Sequence, residues 1–468
     1  MNSSTVTRDS AFTRKRVVRV GAGVASAGVM AGFSLVGATP AMAYTDEDCT
    51  IANTASVALG YDEVDIQNLL NDATLPVICL DGTFVLTTGL TYDRSVTIHG
   101  LPGATLDGDD TWRILEDLDT DANTLTIESL RLTHGFTSTD SGGAIDGGYS
   151  VIVHDSVLDF NESDFFGGAI SAYSVDIFDS LFEENTSAFG GAVAGEFRVT
   201  STRSTFQHND GVANGGAIHS YGFVSSDSST FFDNEAGAGG AIYLDDDIVQ
   251  PFIDVENSTF VDNTAPDGGG AIVTTGGTVL QSTFVNNRGD GQGESIAIYN
   301  DEESEPAEVE LRANLFTGDS EIAELYFAFG PTEFTDLGGN LFSTEEATEV
   351  DFTVVEASSR FQIGSAALYE TGALGDNGGP TQTVALSAGS LAIDAVPVGE
   401  PSVEVDQRGV ARTALSDSGA YEYEDEAETP VLASTGVAPA GWLGGAAALL
   451  LAVGAVAFGV TRRTLRLR

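Results

Sequence analysis

Between Ser141 and Gly318 the sequence repeats itself about every 24 residues, and no other feature of the 468-residue chain constrains its fold so tightly. The tetrapeptide Gly-Gly-Ala-Ile/Val begins at Gly142, Gly167, Gly190, Gly215, Gly239 and Gly269. A second signature, Ser-x-Phe/Leu-x-x-Asn, ends at Asn161, Asn185, Asn209, Asn234, Asn263 and Asn287, in phase with the first. One step widens to about 30 residues, where Asp245-Asp246-Asp247 and Pro251 mark an inserted loop. Leucine-rich repeats of similar period need a leucine ladder that is missing, and helical repeats need roughly 33 residues or more and few glycines. What remains is one turn of a parallel β-helix, three short strands joined by tight bends.

The residues give the reasons. Val151-Ile152-Val153 and Val175-Asp176-Ile177 place apolar side chains with period two, as a half-buried strand requires. Phe182, Phe206, Phe231, Phe260 and Phe284 recur at one position, so a parallel stack sets them ~4.8 Å apart in a continuous interior. The asparagines three residues later stack into an amide ladder, and the glycine pairs supply the bend. A lone unit cannot bury its own apolar face, hence the many copies. The always-apolar slot of Ile145, Ile170, Val193, Ile218, Ile242 and Ile272 faces inward. Alternation then predicts that the next slot (Asp146, Ser171, Ala194, His219, Tyr243, Val273) meets solvent, and that Ala144 and its equivalents point outward as a smooth strip.

The paired signatures resemble the repeats of the polymorphic outer-membrane protein family and related right-handed parallel β-helix proteins. The resemblance covers about 180 residues. It implies an all-β, right-handed parallel β-helix on a cell surface. Those proteins carry a C-terminal membrane β-barrel, however, and this chain carries a different ending, so the likeness implies an extended surface passenger. The solenoid is expected to fill residues 81–422. An N-terminal cap at 44–80 includes a helix at Asp65–Leu70, and the first coils read as Gly82–Leu86, Ser95–Ile98 and Ala104–Leu106. Residues 363–422 hold Leu374–Thr381, Ala392–Ala395, Asp406–Gly409 and Ser418–Glu422, a series that resembles the C-terminal region of surface β-helix proteins with varied anchors. They are expected to form final coils and a cap, before an acidic linker at 423–431. Roughly 14 coils make a rod of ~65 Å.

Both ends read as addresses. Residues 1–43 have a basic start, an apolar run from Val20 to Gly37 and a small-x-small site at Ala41-Met42-Ala43, the order of a signal peptide; a retained membrane anchor is the alternative. At 432–468, Leu432-Ala433-Ser434-Thr435-Gly436 precedes an apolar stretch, Val437 to Val460, long enough for a transmembrane helix across ~30 Å of hydrocarbon. Arg462, Arg463, Arg466 and Arg468 follow, and the positive-inside rule keeps them cytoplasmic. This order resembles the sorting signal of Gram-positive wall proteins in its actinobacterial Leu-Ala-x-Thr-Gly form. The resemblance implies that a sortase cysteine attacks the Thr435 carbonyl, releases Gly436 onward and joins Thr435 to an amino group of the peptidoglycan or of a pilin. The alternative is a plain membrane anchor. Cys49 and Cys79 are the only cysteines. In an oxidising compartment they are expected to form a disulfide that contributes roughly 3–4 kcal/mol, with two free thiols as the alternative.

Charge narrows the partners. Of the 19 basic residues five lie in 1–43 and four in 437–468, which leaves ten arginines and no lysine against 69 acids between. That excludes nucleic acid and an anionic membrane surface as ligands of the exported part, because phosphate binding needs clustered Lys and Arg. With 42% hydrophobic residues and 26 phenylalanines the acidity does not mean disorder.

Catalytic signatures are thin. The Asn-Thr-Asp, Gly-His-Gly and Arg-Ile-Lys elements of galacturonan hydrolases are missing. A pectate-lyase arrangement wants calcium-binding aspartates beside a basic arginine, for which Arg198 and Arg203 are the candidates within the best repeats. Glu184, Asp233 and Asp262 share the slot before the ladder asparagine with His208, while Phe160 and Asn286 interrupt it. They form either a stripe for calcium or glycan, or a solvated acidic edge. His219 and Tyr243 are neighbours in adjacent coils and could stack on a sugar. No cofactor beyond calcium is implied. The expectation is a wall-attached stalk, adhesin or platform for a glycan or for a host or neighbouring cell surface, with a polysaccharide lyase or glycoside hydrolase as the alternative.

Overall fold

A computed structural model describes residues 57–60, 62–118, 122–245, 251–289, 293–299, 307–318, 325–328, 332–343, 347–348, 353–354, 359, 371–396 and 403–424. The described strands form a parallel β-helix with three faces. On the first, Leu115, Ile145, Ile170, Val193, Ile218, Ile242, Ile272 and Ile296 lie in register from rung to rung. On the second, Ile98, Ile127, Val153 and Ile177 align. On the third, Phe182, Phe206, Phe231, Phe260, Phe284, Phe316 and Phe342 align. Their rings stack with centroids 4.6 to 5.0 Å apart, and all seven are buried. The stack thus runs two rungs beyond Phe284, the last of the phenylalanines that recur with the sequence signature.

Two corners turn each rung through left-handed backbone. Phe160, Glu184, His208, Asp233, Asp262 and Asn286 have φ between 51° and 55°, and each immediately precedes a ladder asparagine. A non-glycine residue there costs roughly 1 kcal/mol, which the buried amide offsets. Asn209 Nδ2 donates to Asn234 Oδ1 at 2.9 Å and to the Phe182 carbonyl at 3.0 Å, and the same pattern repeats from Asn161 to Asn263. At the other corner a serine ladder does the equivalent work. The backbone N–H of Ser156 donates to Ser180 Oγ, that of Ser180 to Ser204 Oγ and that of Ser204 to Ser229 Oγ. The serine of the repeat signature was visible in the sequence, but its ladder was not anticipated.

The first face departs from strict alternation. Ala144, Ala169, Ala192, Ala217, Ala241 and Ala271 are fully buried in the core together with the isoleucine slot, instead of pointing outward. The cause is a local bulge: the N–H groups of Ala144 and Ile145 both donate to the Ala169 carbonyl, at 3.0 and 2.8 Å. Two successive side chains therefore turn inward.

The N-terminal edge is closed by a helix, α1, at Glu63–Leu70, capped by the Asp62 side chain. Ile66 and Leu70 enter the core. The Gln67 side chain substitutes for a missing strand: its Oε1 accepts from Thr91 N at 2.9 Å and its Nε2 donates to Thr91 O at 2.9 Å. This blunts an otherwise open edge.

Among the described residues the third-face sheet has eleven strands and the second-face column thirteen, from Val57–Gly60 to Thr353–Val354, which makes a rod of about 60 Å, near the expected ~65 Å. The described part of the C-terminal region, within 371–424, does not continue the coils. Thr371–Gly375 and Thr383–Leu386 pair antiparallel, and the segment lies back over the outer side of the third face. Thr230 Oγ1 donates to the Gln382 carbonyl, Gln407 Nε2 to Thr230 Oγ1, and Ala420 N to Thr283 Oγ1. Leu315 and Leu341 point away from the solenoid core, yet they are fully buried in a second cluster with Leu386 and Ala392. Residues 371–396 and 403–424 thus form a strap over the later rungs.

Candidate functional site

The carboxylates expected to form a stripe do lie in one row. Glu184, Asp233 and Asp262 are exposed at the left-handed corner, where the backbone throws the side chain away from the rod. The row is broken by His208, whose ring nitrogens stand 3.6 Å from Asp233 and 3.9 Å from Glu183. What burial Asp262 has raises its carboxyl above the usual range, offset by a hydrogen bond with Asn286. Among the described residues no group of three or more His, Cys, Asp or Glu is placed to hold a metal ion.

His219 and Tyr243 do pair, with parallel rings 5.6 Å apart. The slot they occupy is not the open one that alternation predicts. Ala194, His219 and Val273 are 5%, 1% and 1% exposed, and over His219 aromatic side chains close the surface. Phe166, Phe189 and Tyr221 ring His219 at 5.8, 5.6 and 4.9 Å. His219 is therefore closed to a sugar, and its part in a stacking platform is corrected to that of a buried ring beneath an aromatic cover. At the same slot Asp146 is pushed up to about 6, chiefly by burial, with the charges of Asp140 and Glu116 adding and Arg113 opposing.

Cys79 is buried and disulfide-bonded. Its expected partner Cys49 lies outside the described residues, as do Leu432, Ala433, Ser434, Thr435 and Gly436, the apolar stretch 437–460 and residues 1–43. Among the described residues no helix is long and apolar enough to cross a membrane.

A concave feature lies elsewhere. The second left-handed corner, just before the ladder serine, carries Asp155, Asp179 and Arg203 with φ of 47°, 49° and 49° in three successive rungs. Together with Val157, Leu181 and the strap residues Pro380 and Gln382 they line a groove of about 450 Å³. Arg203 grips Asp179 through Nε at 2.7 Å and Nη2 at 2.6 Å. That hydrogen-bonded pairing is the main cause that raises the guanidinium above its usual range. On the second face Arg198 is held likewise, by Asp176 at 2.7 Å. The slot before the repeat serine was readable in the sequence; its companion, the strap, was not.

Three registered faces, two polar ladders and a covering strap define a parallel β-helix repeat protein. Residues 228–245 and 257–275 match the family model of the Chlamydia polymorphic membrane protein repeat. The matched stretches contain Gly239-Gly240-Ala241-Ile242 and Ser258 to Asn263, the two signatures that build the bulged first face and the asparagine corner. Fold and match together fit a surface protein. No curated protein and no solved structure matches the chain.

Proposed function

We propose that this chain is an exported surface protein, held at a Gram-positive cell wall through its C-terminal signal, whose β-helix serves as an adhesin-like stalk and binding platform. The observation that carries this is the rod itself. Registered phenylalanine and asparagine stacks give a rigid, extended body, and two of its rungs match a repeat family of surface proteins. The anchoring half rests on the sequence order Leu432 to Gly436, an apolar stretch and four arginines. A sortase would cut after Thr435 and link it to peptidoglycan. The acidity of the exported part keeps neighbouring copies apart beside an anionic wall. Calcium would be a surface counter-ion there, bound by scattered carboxylates.

One observation favours a glycan-cleaving enzyme: Asp155, Asp179 and Arg203 converge on one groove. The electrostatics oppose it. A lyase needs an arginine that can accept a proton, and Arg203 is locked to Asp179 with its proton held more firmly than usual. A binding role therefore fits the groove better.

The direct test is Thr435→Ala in the native organism. The variant is expected in the membrane or the medium and not in the covalently bound wall fraction. Covalent attachment that persists would overturn the sortase assignment.

A further inference from the structure

We infer that the groove on the third face binds an uncharged oligosaccharide about two sugar rings long, held between the corner carboxylates and the end of the strap. This rests on the binding-platform function and gives that platform a site and a ligand class.

The groove occupies the stretch of the third face that the strap leaves open. Its floor is Val157 and Leu181, which face away from the core, are half-buried and lie side by side in register. From Val157 to Thr205 the floor spans two rung steps, roughly 10 Å. That is the length of two pyranose rings, and the apolar strip suits their C–H faces.

The rim decides the chemistry. Under the strap the corner row continues as Ser228, Asn257, Gln281 and Ala313, without charge, and these rungs meet polypeptide. Where the strap ends the same row becomes Asp155, Asp179 and Arg203. Carboxylates only accept hydrogen bonds, so a ligand here must bring several donors, as a polyol does with its hydroxyls. Gln382 at the closed end can give and take.

Two rivals fit less well. A peptide recognised by its backbone needs a free strand edge, and the floor's N–H and C=O groups are already spent on the rungs on either side. A uronic acid would meet two carboxylates and an arginine that Asp179 already holds in a bidentate grip.

The test uses the purified full-length chain on an array of short neutral oligosaccharides of the cello-, xylo-, manno- and malto- series, with oligogalacturonates and acidic and basic peptides alongside. At least one neutral series should bind. Leu181→Trp fills the floor from an outward position and should weaken that binding by roughly tenfold or more at an unchanged melting temperature. Asp155→Ala, also at the surface, should weaken it by roughly fivefold. Neutral-sugar binding that is untouched by both variants would sink the groove and leave the platform standing. A chain that prefers galacturonates, or peptides in a Leu181-dependent way, would overturn the ligand class. A chain that retains nothing on the array would count against both the groove and the platform.

Discussion

Asn209 donates its side-chain amide to Asn234 on the next rung at 2.9 Å, while its own side-chain oxygen accepts two hydrogen bonds from Asn185 on the rung before. Each amide in the column therefore satisfies its neighbours, and no rung can leave register without exposing buried donors. Asn209→Ala leaves the Asn185 backbone N–H and Nδ2 without their acceptor in a fully buried site. The expected loss is about 3 kcal/mol. Denaturant unfolding, with hydrogen exchange at rungs flanking residue 209, measures it; a loss well under 1 kcal/mol would mean that the ladder is decorative.

Glycine positions should divide by what surrounds them. A Cβ on Gly216 would sit 2.0 Å from the Gly240 carbonyl oxygen on the adjoining rung, so Gly216→Ala has to push two rungs apart. Gly103 has φ +86° but nothing within 4 Å of a new Cβ. Gly103→Ala should cost about 1–2 kcal/mol in backbone strain, and Gly216→Ala distinctly more, through lost stacking on both sides. Equal melting temperatures for the two variants would contradict the close approach of the glycine backbones.

Acid should stabilise this protein. Glu256 is pushed up from 4.5 to about 7, first by burial and then by the charges of Asp227 and Asp254, with Arg412 opposing. Asp146 and Asp417 are each raised from 3.8 to about 6, again chiefly by burial. Between those paired values the folded chain keeps protons that the unfolded chain has released. Stability is therefore full below the unfolded values and falls as pH rises from about 4 through 7. Glu256→Gln should gain about 1 kcal/mol near pH 7.5, once solvent screening is allowed for, and flatten the decline. Melting curves across this range read both. A wild type that grows more stable toward neutral pH, or a variant with an unchanged slope, would contradict the assignment.

The fold was legible because like residues recur in phase. Phe182 to Phe284 and Asn161 to Asn287 carry the spacing of the rungs in their own numbers. What lay hidden depended on contacts that no local pattern encodes. Ala144 turns inward through a bulge, and His219 is buried by Phe166 and Phe189 from earlier rungs. The strap joins residues more than a hundred positions apart, such as Thr230 and Gln382. Its one local trace is a pair of leucines, Leu315 and Leu341, in a slot that holds threonine in the rungs just before. The exposed corner row tolerates Phe160, Glu184 and His208 alike. Its composition therefore suits a solvated edge as well as a ligand stripe. The groove needed the strap's Pro380 and Gln382 as its end wall.

Register is tested most directly by cross-linking along one outward column. Val157, Leu181 and Thr205 are consecutive partners on the third face. Adjacent pairs sit ~4.8 Å apart and alternate ones roughly 10 Å, which is inside and outside the reach of a disulfide respectively. Under mild oxidation, Val157→Cys/Leu181→Cys and Leu181→Cys/Thr205→Cys should each close a bridge detectable by mass spectrometry, and Val157→Cys/Thr205→Cys should not. Failure of both adjacent pairs, or ready closure of the alternate pair, would contradict a stack of registered rungs.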